Sequence, residues 1–437
     1  MKNFVLLILY LFASLSLQAD DDDDLYLLRT APGALNRVVS RYGLEVKKAL
    51  PSQNLYLVKP SDDDDDDDLE ERVKGDRDVI SVEENEELFA PEVKSGSTNP
   101  EQGPLQQALQ ERRIVNYFGA NAWEGYTRQP AAGQIGLWAA QGRARTGAGV
   151  VAVIDTGVDA SHPALKGSLV NGYDFTTDVQ GVPTEWSAVN ADVRSALSQS
   201  TTAFIDNSTA PVPLNNYAIA ALSQSTTAFI DTGKLPQAFG HGTMVASIVR
   251  LVAPTAKIMP LKAFQADGSA NSFDLVRAIY FAADNGATII NMSFNMRSNS
   301  VELGRAIRYA SERKVVLVAS AGNDGNEILV YPAAYPEVKG IASLDKFSVR
   351  SQFSNYGPML VTLAAPGEGL IVAYPGGNYA SAWGTSFSTP LVAGAISLLK
   401  QLNPTWTAAQ IEAELTRSAR PANSYGVGAG LLFVGQF

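Results

Sequence analysis

Three side chains in this sequence have the types and surroundings that nucleophilic catalysis requires. Ser386 lies in Gly384-Thr385-Ser386-Phe387-Ser388-Thr389-Pro390, where a loop gives way to a small and apolar run reaching residue 402. A hydroxyl at the mouth of a buried helix has unpaired N–H groups and the positive end of the macrodipole around it, which favours a developing oxyanion. Gly384 permits the sharp backbone entry, and Pro390 is expected in the helix's first turn, because deeper it removes a backbone bond. A serine in such a place is most often a plain N-cap, so its partners decide. His241, between Gly240 and Gly242 at the head of another helical run, is one of only two histidines. The other, His162 in Ser161-His162-Pro163, sits in an irregular stretch and reads as structural. Asp155 ends the apolar run Val150-Val151-Ala152-Val153-Ile154, and sites in open α/β sheets lie beyond the carboxyl ends of strands. Asn323 follows another apolar run in Ser320-Ala321-Gly322-Asn323-Asp324-Gly325. Its amide could donate to an oxyanion, although Asn-Asp-Gly is also ordinary turn chemistry.

Parallel strands alternating with helices would position these residues. The periodicity predicts strands at 150–154, 258–264, 288–294, 315–319 and 361–365, and helices at 243–252, 273–285, 301–313, 388–402 and 408–418. The last helix opens on a capping box, Thr407 with Gln410. Residues 174–237 break this rhythm and read as an insertion. Within it the eleven residues 196–206 recur identically at 221–231, and one duplication is too few units for a solenoid.

Composition narrows the chemistry further. The 437 residues are 46% apolar and 18% charged, ordinary for a globular protein. The net charge is −11, but aspartate runs at 20–24 and 62–68 outweigh that whole excess, and no basic stripe suggests nucleic acid. Cysteine is absent, which excludes disulfides and thiolate catalysis. With two histidines and no H-E-x-x-H motif, a His/Cys zinc site is excluded, leaving only carboxylate-dominated sites for hard metals.

The N-terminal part has its own organisation. Residues 1–19 read as a secretory signal peptide, with one lysine, an apolar run too short to span a membrane comfortably, and Ala19 at its end. Export without cysteine suits a bacterial protein, extracellular or periplasmic. Residues 25–90 read in the order βαββαβ, the ferredoxin-like split-βαβ arrangement, with a hairpin around Pro51-Ser52-Gln53-Asn54. Both aspartate runs read as solvated loops. Residues 91–121 are polar and rich in Pro, Gly, Gln and Asn, as a linker and processing region would be.

Asp155, His241 and Ser386 occur in an order known for one class of peptidase. With Val153-Ile154-Asp155-Thr156-Gly157-Val158, His241-Gly242-Thr243, Ser320-Ala321-Gly322-Asn323 and Gly384-Thr385-Ser386, the chain resembles the subtilisin-family (subtilase) serine proteases with an N-terminal inhibitor-type propeptide. The resemblance covers about 135–421 and, more loosely, 25–90. It implies an α/β fold with a doubly wound, mostly parallel sheet, helices on both faces and a small α+β domain before it. The expected domains are a signal peptide at 1–19, a propeptide at 20–90, a linker at 91–121 and a catalytic domain at 122–437. It further implies a secreted endopeptidase in which Ser386 attacks, His241 transfers the proton and Asp155 orients the imidazole. Asn323 and the Ser386 N–H would form the oxyanion hole. Ser293, Phe294 and Asn295, with Ser320, Ala321 and Gly322, would pair with substrate backbone and wall its pocket; Phe294 suggests an apolar-leaning preference. Protein or peptide substrates and the chain's own propeptide are the expected partners, with a monomer, no nucleic acid and no membrane association once the signal is removed. The chemistry needs no cofactor; structural calcium is a family expectation for which no acidic loop marks a place.

Departures from the family pattern are Met244 and Ser247 after the histidine motif, Asn295 where glycine is usual, and Phe387 where methionine is common. Two other readings stand beside this one. Asp155-Thr156-Gly157 and Asp231-Thr232-Gly233 are two D-T-G triplets, as aspartic proteases carry, although those enzymes are mostly β. A non-catalytic binding protein on the same fold is the other. An α/β-hydrolase esterase is disfavoured, since Ser386 does not lie in G-x-S-x-G.

Overall fold

The computed structural model describes residues 25–61, 69–89, 111–199 and 235–437. The signal-peptide reading, both aspartate runs and the second D-T-G triplet lie outside them, as does the repeat apart from the first four residues of its first copy. The chain divides into two compact units, the second beginning at Glu86.

The first unit is built from β1 (Tyr26–Thr30), α1 (Leu35–Tyr42), β2 (Leu44–Leu50), β3 (Leu55–Pro60), α2 (Leu69–Arg72) and β4 (Val79–Glu84). The sheet order is β2-β3-β1-β4 with every neighbour antiparallel, which is the ferredoxin-like arrangement. Glycine ends α1 because Gly43 takes a left-handed φ of 61°, so that its N–H reaches the Val39 carbonyl. Leu28, Val38, Val58 and Leu69 are fully buried and bring both helices onto one face of the sheet.

In the second unit the chain forms β5 (Glu87–Phe89), β6 (Ile114–Tyr117), β7 (Ala120–Trp123), α3 (Glu124–Thr127), α4 (Pro130–Gln134) and α5 (Leu137–Gly142). There follow β8 (Val150–Asp155), β9 (Gly172–Asp174), β10 (Val179–Gly181), α6 (Ala191–Gln199), α7 (His241–Val252), β11 (Lys257–Lys262), β12 (Ser269–Asn271) and α8 (Ser272–Asp284). The remainder is β13 (Ile289–Met292), α9 (Val301–Glu312), β14 (Val316–Ser320), β15 (Val338–Leu344), β16 (Leu363–Pro366), β17 (Leu370–Tyr374), β18 (Asn378–Ala382), α10 (Thr385–Leu402) and α11 (Ala408–Ser418). An eight-stranded sheet runs β10-β9-β11-β8-β13-β14-β15-β16, parallel throughout except for the edge strand β10. Helices α7 and α10 pack together as one layer and α8 and α9 as the other, so the strands are covered on both faces and read as apolar runs.

Where structure and sequence reading differ, local chemistry explains the difference. Strand β15 was hidden by Lys339 and Gly340; the lysine stem is buried and its ammonium reaches Glu412 at 2.5 Å. Strands β9 and β10 are three residues each, too short for an alternation to show. Residues 114–121 were read as linker, yet β6 and β7 pair there as a hairpin in register Ile114 with Trp123. Helix α10 begins at Thr385, three residues before the expected start, which puts Pro390 in its second turn. The missing proline N–H leaves the Ser386 carbonyl without a helical donor. The Ser293 hydroxyl supplies the bond at 2.8 Å.

Close approach of α10 to α7 depends on Gly394, where an added Cβ would come within 2.5 Å of Val252 Cβ. Replacement Gly394→Ala is expected to overpack this contact at a cost of roughly 1–3 kcal/mol. Thermal unfolding would show it as a lowered Tm; an unchanged Tm would mean the two helices part without cost.

Candidate active site

Strand β8 carries Asp155 to the carboxyl edge of the sheet, where the chain turns through Thr156 and Gly157. Gly157 takes φ 107°, and a Cβ there would press on Pro183 O at 3.2 Å. Helix α7 enters the same place from Gly240, φ 92°, so His241 opens the helix. Gly242 allows the approach, because its Cβ would stand 2.1 Å from Gly157 O. The result is a contact of 2.7 Å between His241 Nδ1 and Asp155 Oδ1, with both side chains buried. A carboxylate can only accept, so Nδ1 carries the proton and Nε2 is the basic nitrogen. The second oxygen-facing donor on Asp155 Oδ1 is the Thr156 N–H at 2.8 Å.

Ser386 sits in the first turn of α10, fully buried. Its hydroxyl donates to the Ser293 carbonyl at 3.1 Å, while the Ser293 hydroxyl, held by Asn291 Nδ2 at 2.9 Å, donates back to the Ser386 carbonyl. The next residue, Phe387, packs its ring against His241 at 5.4 Å between centroids, so the mouths of α7 and α10 adjoin. Asn323 is brought to the same helix start. Thr385 donates to Asn323 Oδ1 through its N–H at 2.9 Å and its hydroxyl at 2.8 Å. Two donors on Oδ1 fix the amide orientation and make Nδ2 its donor end.

The remaining candidates line up along neighbouring strand ends. Phe294 is buried with its ring on Phe264 at 5.3 Å. The Ser320 hydroxyl reaches Phe294 O at 3.3 Å, Ala321 N–H donates to Ile341 O at 2.9 Å, and Gly322 N–H donates to Thr385 Oγ1 at 3.2 Å. Gly322 takes φ 91°, with Asn355 2.5 Å and Asn295 3.2 Å from where its Cβ would be. Asn295 therefore lies against this turn rather than apart from it. His162 stays outside the group: Nε2 donates to Asn378 O at 2.8 Å, Nδ1 accepts from Ala164 N–H at 3.1 Å, and burial holds its pKa below the usual value. Ser247, where the family usually has glycine, has a use of its own, accepting from Ala373 N–H at 3.0 Å and donating to Met244 O at 2.7 Å.

One acid escaped the sequence reading. Glu185, from the stretch read as insertion, is buried with Thr156 Oγ1 donating to it at 2.6 Å and Thr243 Oγ1 donating to its other oxygen. Burial pushes its pKa up to about 7, and the two threonine hydrogen bonds oppose that rise. Among the described residues, no three His, Cys, Asp or Glu side chains converge as metal ligands would, and no helix is long and apolar enough to cross a membrane.

The model of the subtilase family matches residues 147–430. The chain belongs to the subtilase family. The thermophilic serine proteinase of Bacillus sp. (strain AK1) is 32% identical over 259 residues, 57% of this chain and 51% of that protein. Subtilisin BL of Lederbergia lenta is 36% identical over 203 residues, 44% of this chain and 75% of the relative. Fervidolysin from Fervidobacterium pennivorans shares the fold, with a TM-score of 0.66 and 22% identity over 94% of this chain and 60% of its own. This subtilase thus spans about half the length of the first of these relatives.

Within the subtilase site, the Ser293 hydroxyl links two buried groups. Ser293→Ala leaves its carbonyl in place but strips the donor from the Ser386 carbonyl and the acceptor from Asn291 Nδ2, and a buried polar group left unpaired costs about 1–3 kcal/mol. A lowered Tm, with a drop in kcat from a loosened helix mouth, is the expected result. A variant identical to the parent in both would show that Pro390 needs no such partner.

Proposed function

We propose that the chain is a secreted serine endopeptidase, made as a zymogen, that cleaves peptide bonds through an acyl-enzyme. The observation that carries this reading is the buried 2.7 Å contact of His241 with Asp155, beside the helix mouth that holds Ser386. Ser386 Oγ attacks the scissile carbonyl as His241 Nε2 takes its proton, and the imidazolium then protonates the leaving amine. Water repeats the sequence in reverse to free the acid. Asp155 keeps Nδ1 protonated and stabilises the cation formed on the ring. The oxyanion is met by Asn323 Nδ2 and the Ser386 N–H, both at the positive end of α10. No cofactor enters these steps. Ser293 to Asn295 and Ser320 to Gly322 flank the extended substrate, and protein or peptide chains are the substrate class.

Self-processing has its own support. Strand β5 pairs antiparallel with β12, Phe89 opposite Ser269 and Glu87 opposite Asn271, so the stretch that opens the second unit is held there as an added strand. A peptidase that binds extended peptide would hold its own precursor in this way. The small ferredoxin-like unit then serves as an intramolecular inhibitor, as the family resemblance implies. The D-T-G reading is disfavoured because Asp155 Oδ1 pairs with an imidazole and ends a strand of a mostly parallel α/β sheet, whereas aspartic proteases are mostly β.

N-terminal sequencing of the secreted product should find a new terminus in the linker between β5 and β6. Ser386→Ala should be exported without that cleavage, whereas undiminished processing in this variant would refute the nucleophile. Asn323→Ala is expected to lower kcat by about 10²–10³ with KM little changed. Equal kcat in that variant would remove Asn323 from the oxyanion hole.

A further inference from the structure

Glu185 is 1% exposed and has no part in the reaction scheme above. Its position is nonetheless specific. Thr156, the residue after Asp155, donates through Oγ1 to Oε1 at 2.6 Å, and Thr243, two residues after His241, donates through Oγ1 to Oε2. The Gly242 N–H reaches Oε1 at 3.2 Å. Each threonine hydroxyl also accepts a backbone N–H: Gly242 N–H on Thr156 at 3.0 Å, and Asp159 N–H on Thr243 at 2.8 Å. A hydroxyl that accepts from an amide has its single proton left to give; Thr156 has Glu185 at 2.6 Å against Asp155 Oδ1 at 3.4 Å, so both protons go to the one carboxylate of Glu185. The acid itself is held in place, since Val158 N–H bonds to Pro183 O at 3.0 Å and Trp186 packs on Phe239 at 5.6 Å.

We propose that Glu185 is a positioning residue for the Asp155–His241 pair, its carboxylate tying the turn that carries the aspartate to the helix start that carries the histidine. This rests on the serine-peptidase reading. The charged and titratable groups around it are Asp155 from β8, Asp159 from the loop after β8, His241 from α7, Lys262 from β11 and Tyr374 from β17. Lys262 is buried as well, its ammonium donating to Thr156 O at 2.9 Å and Phe264 O at 2.6 Å, and it faces the carboxylates of Asp174, Glu185 and Asp155. Burial raises Glu185 to about 7, with Asp155 adding to the rise and Lys262 opposing it. Above that pH the carboxylate accepts from both hydroxyls. Once protonated it loses its charge, the two bonds it accepts from the threonines weaken, and the tie between the two segments loosens. The negative charge also favours the imidazolium that His241 forms during turnover.

The test is an NMR titration of ring-labelled histidine in the full chain carrying Ser386→Ala, with and without Glu185→Gln, alongside kinetics of the active chain. With only two histidines present, buried His162 serves as the internal reference. Glu185→Gln is expected to lower the His241 pKa by about 0.5 unit or more, leaving the His162 signals in place. It should also reduce kcat by about tenfold with KM within about twofold. Glu185→Asp keeps the charge and should restore the His241 pKa. An unchanged His241 pKa and unchanged kcat in folded Glu185→Gln would overturn the proposal, as would a shift upward. If Glu185→Gln does not fold, Thr243→Val removes one donor and keeps the acid; loss of kcat by about threefold or more is expected, and full activity refutes the tie. The titration needs no turnover, so a parent chain that fails to hydrolyse peptides would refute the peptidase reading and still leave His241 to decide the role of Glu185.

Discussion

A single hydrogen bond between a carboxylate and an imidazole, removed from water, sets the terms for the rest of the structure. Asp155 and His241 meet at 2.7 Å with both side chains buried. A charge held in such a place is tolerated only when it is paired and hydrogen-bonded. The sheet satisfies this by ending β8 and opening α7 at one point, with glycines at 157 and 242 where the backbones nearly touch. The fold therefore aims a strand terminus and a helix start at each other. The apolar runs around them keep out the water that would weaken the pair.

The nucleophile's helix solves a different problem. Pro390 in the second turn of α10 deprives the Ser386 carbonyl of its partner, and Ser293 answers with its hydroxyl while its carbonyl receives the Ser386 hydroxyl. Two serines on adjoining elements thus hold each other in register. Asn323 is fixed in the same manner, by two Thr385 donors on its oxygen. In each case a backbone irregularity or a turn amide is locked by a small hydroxyl from a neighbouring segment. A helix start built this way is rigid at the position where a transition state would need fixed dipoles.

Much of this was legible in the sequence because the parallel strands are short apolar runs ending in chemically distinctive turns. Asp155, His241 and Ser386 could be picked out as strand-end or helix-start residues, and the βαββαβ order of the small unit followed from its hairpin and capping glycine. Partnerships across the chain were not legible. The spacing does not say that Glu185 reaches Thr243, 58 residues away, nor that Ser293 caps a carbonyl 93 residues on. Strand β15 was obscured by a lysine whose stem is buried while its head finds Glu412. The second helical turn of Pro390 was missed because its compensation comes from another strand. Local pattern shows where backbone goes; satisfaction of buried polar atoms is settled by tertiary contacts.

The most direct measurement is the reaction of the processed chain with a fluorophosphonate, followed by peptide mapping of the adduct. One phosphonyl group per chain on Ser386, absent when His241 is replaced by alanine, is the predicted result. An adduct on another residue, or a chain that hydrolyses peptides at full rate with Ser386 unmodified, would contradict the triad.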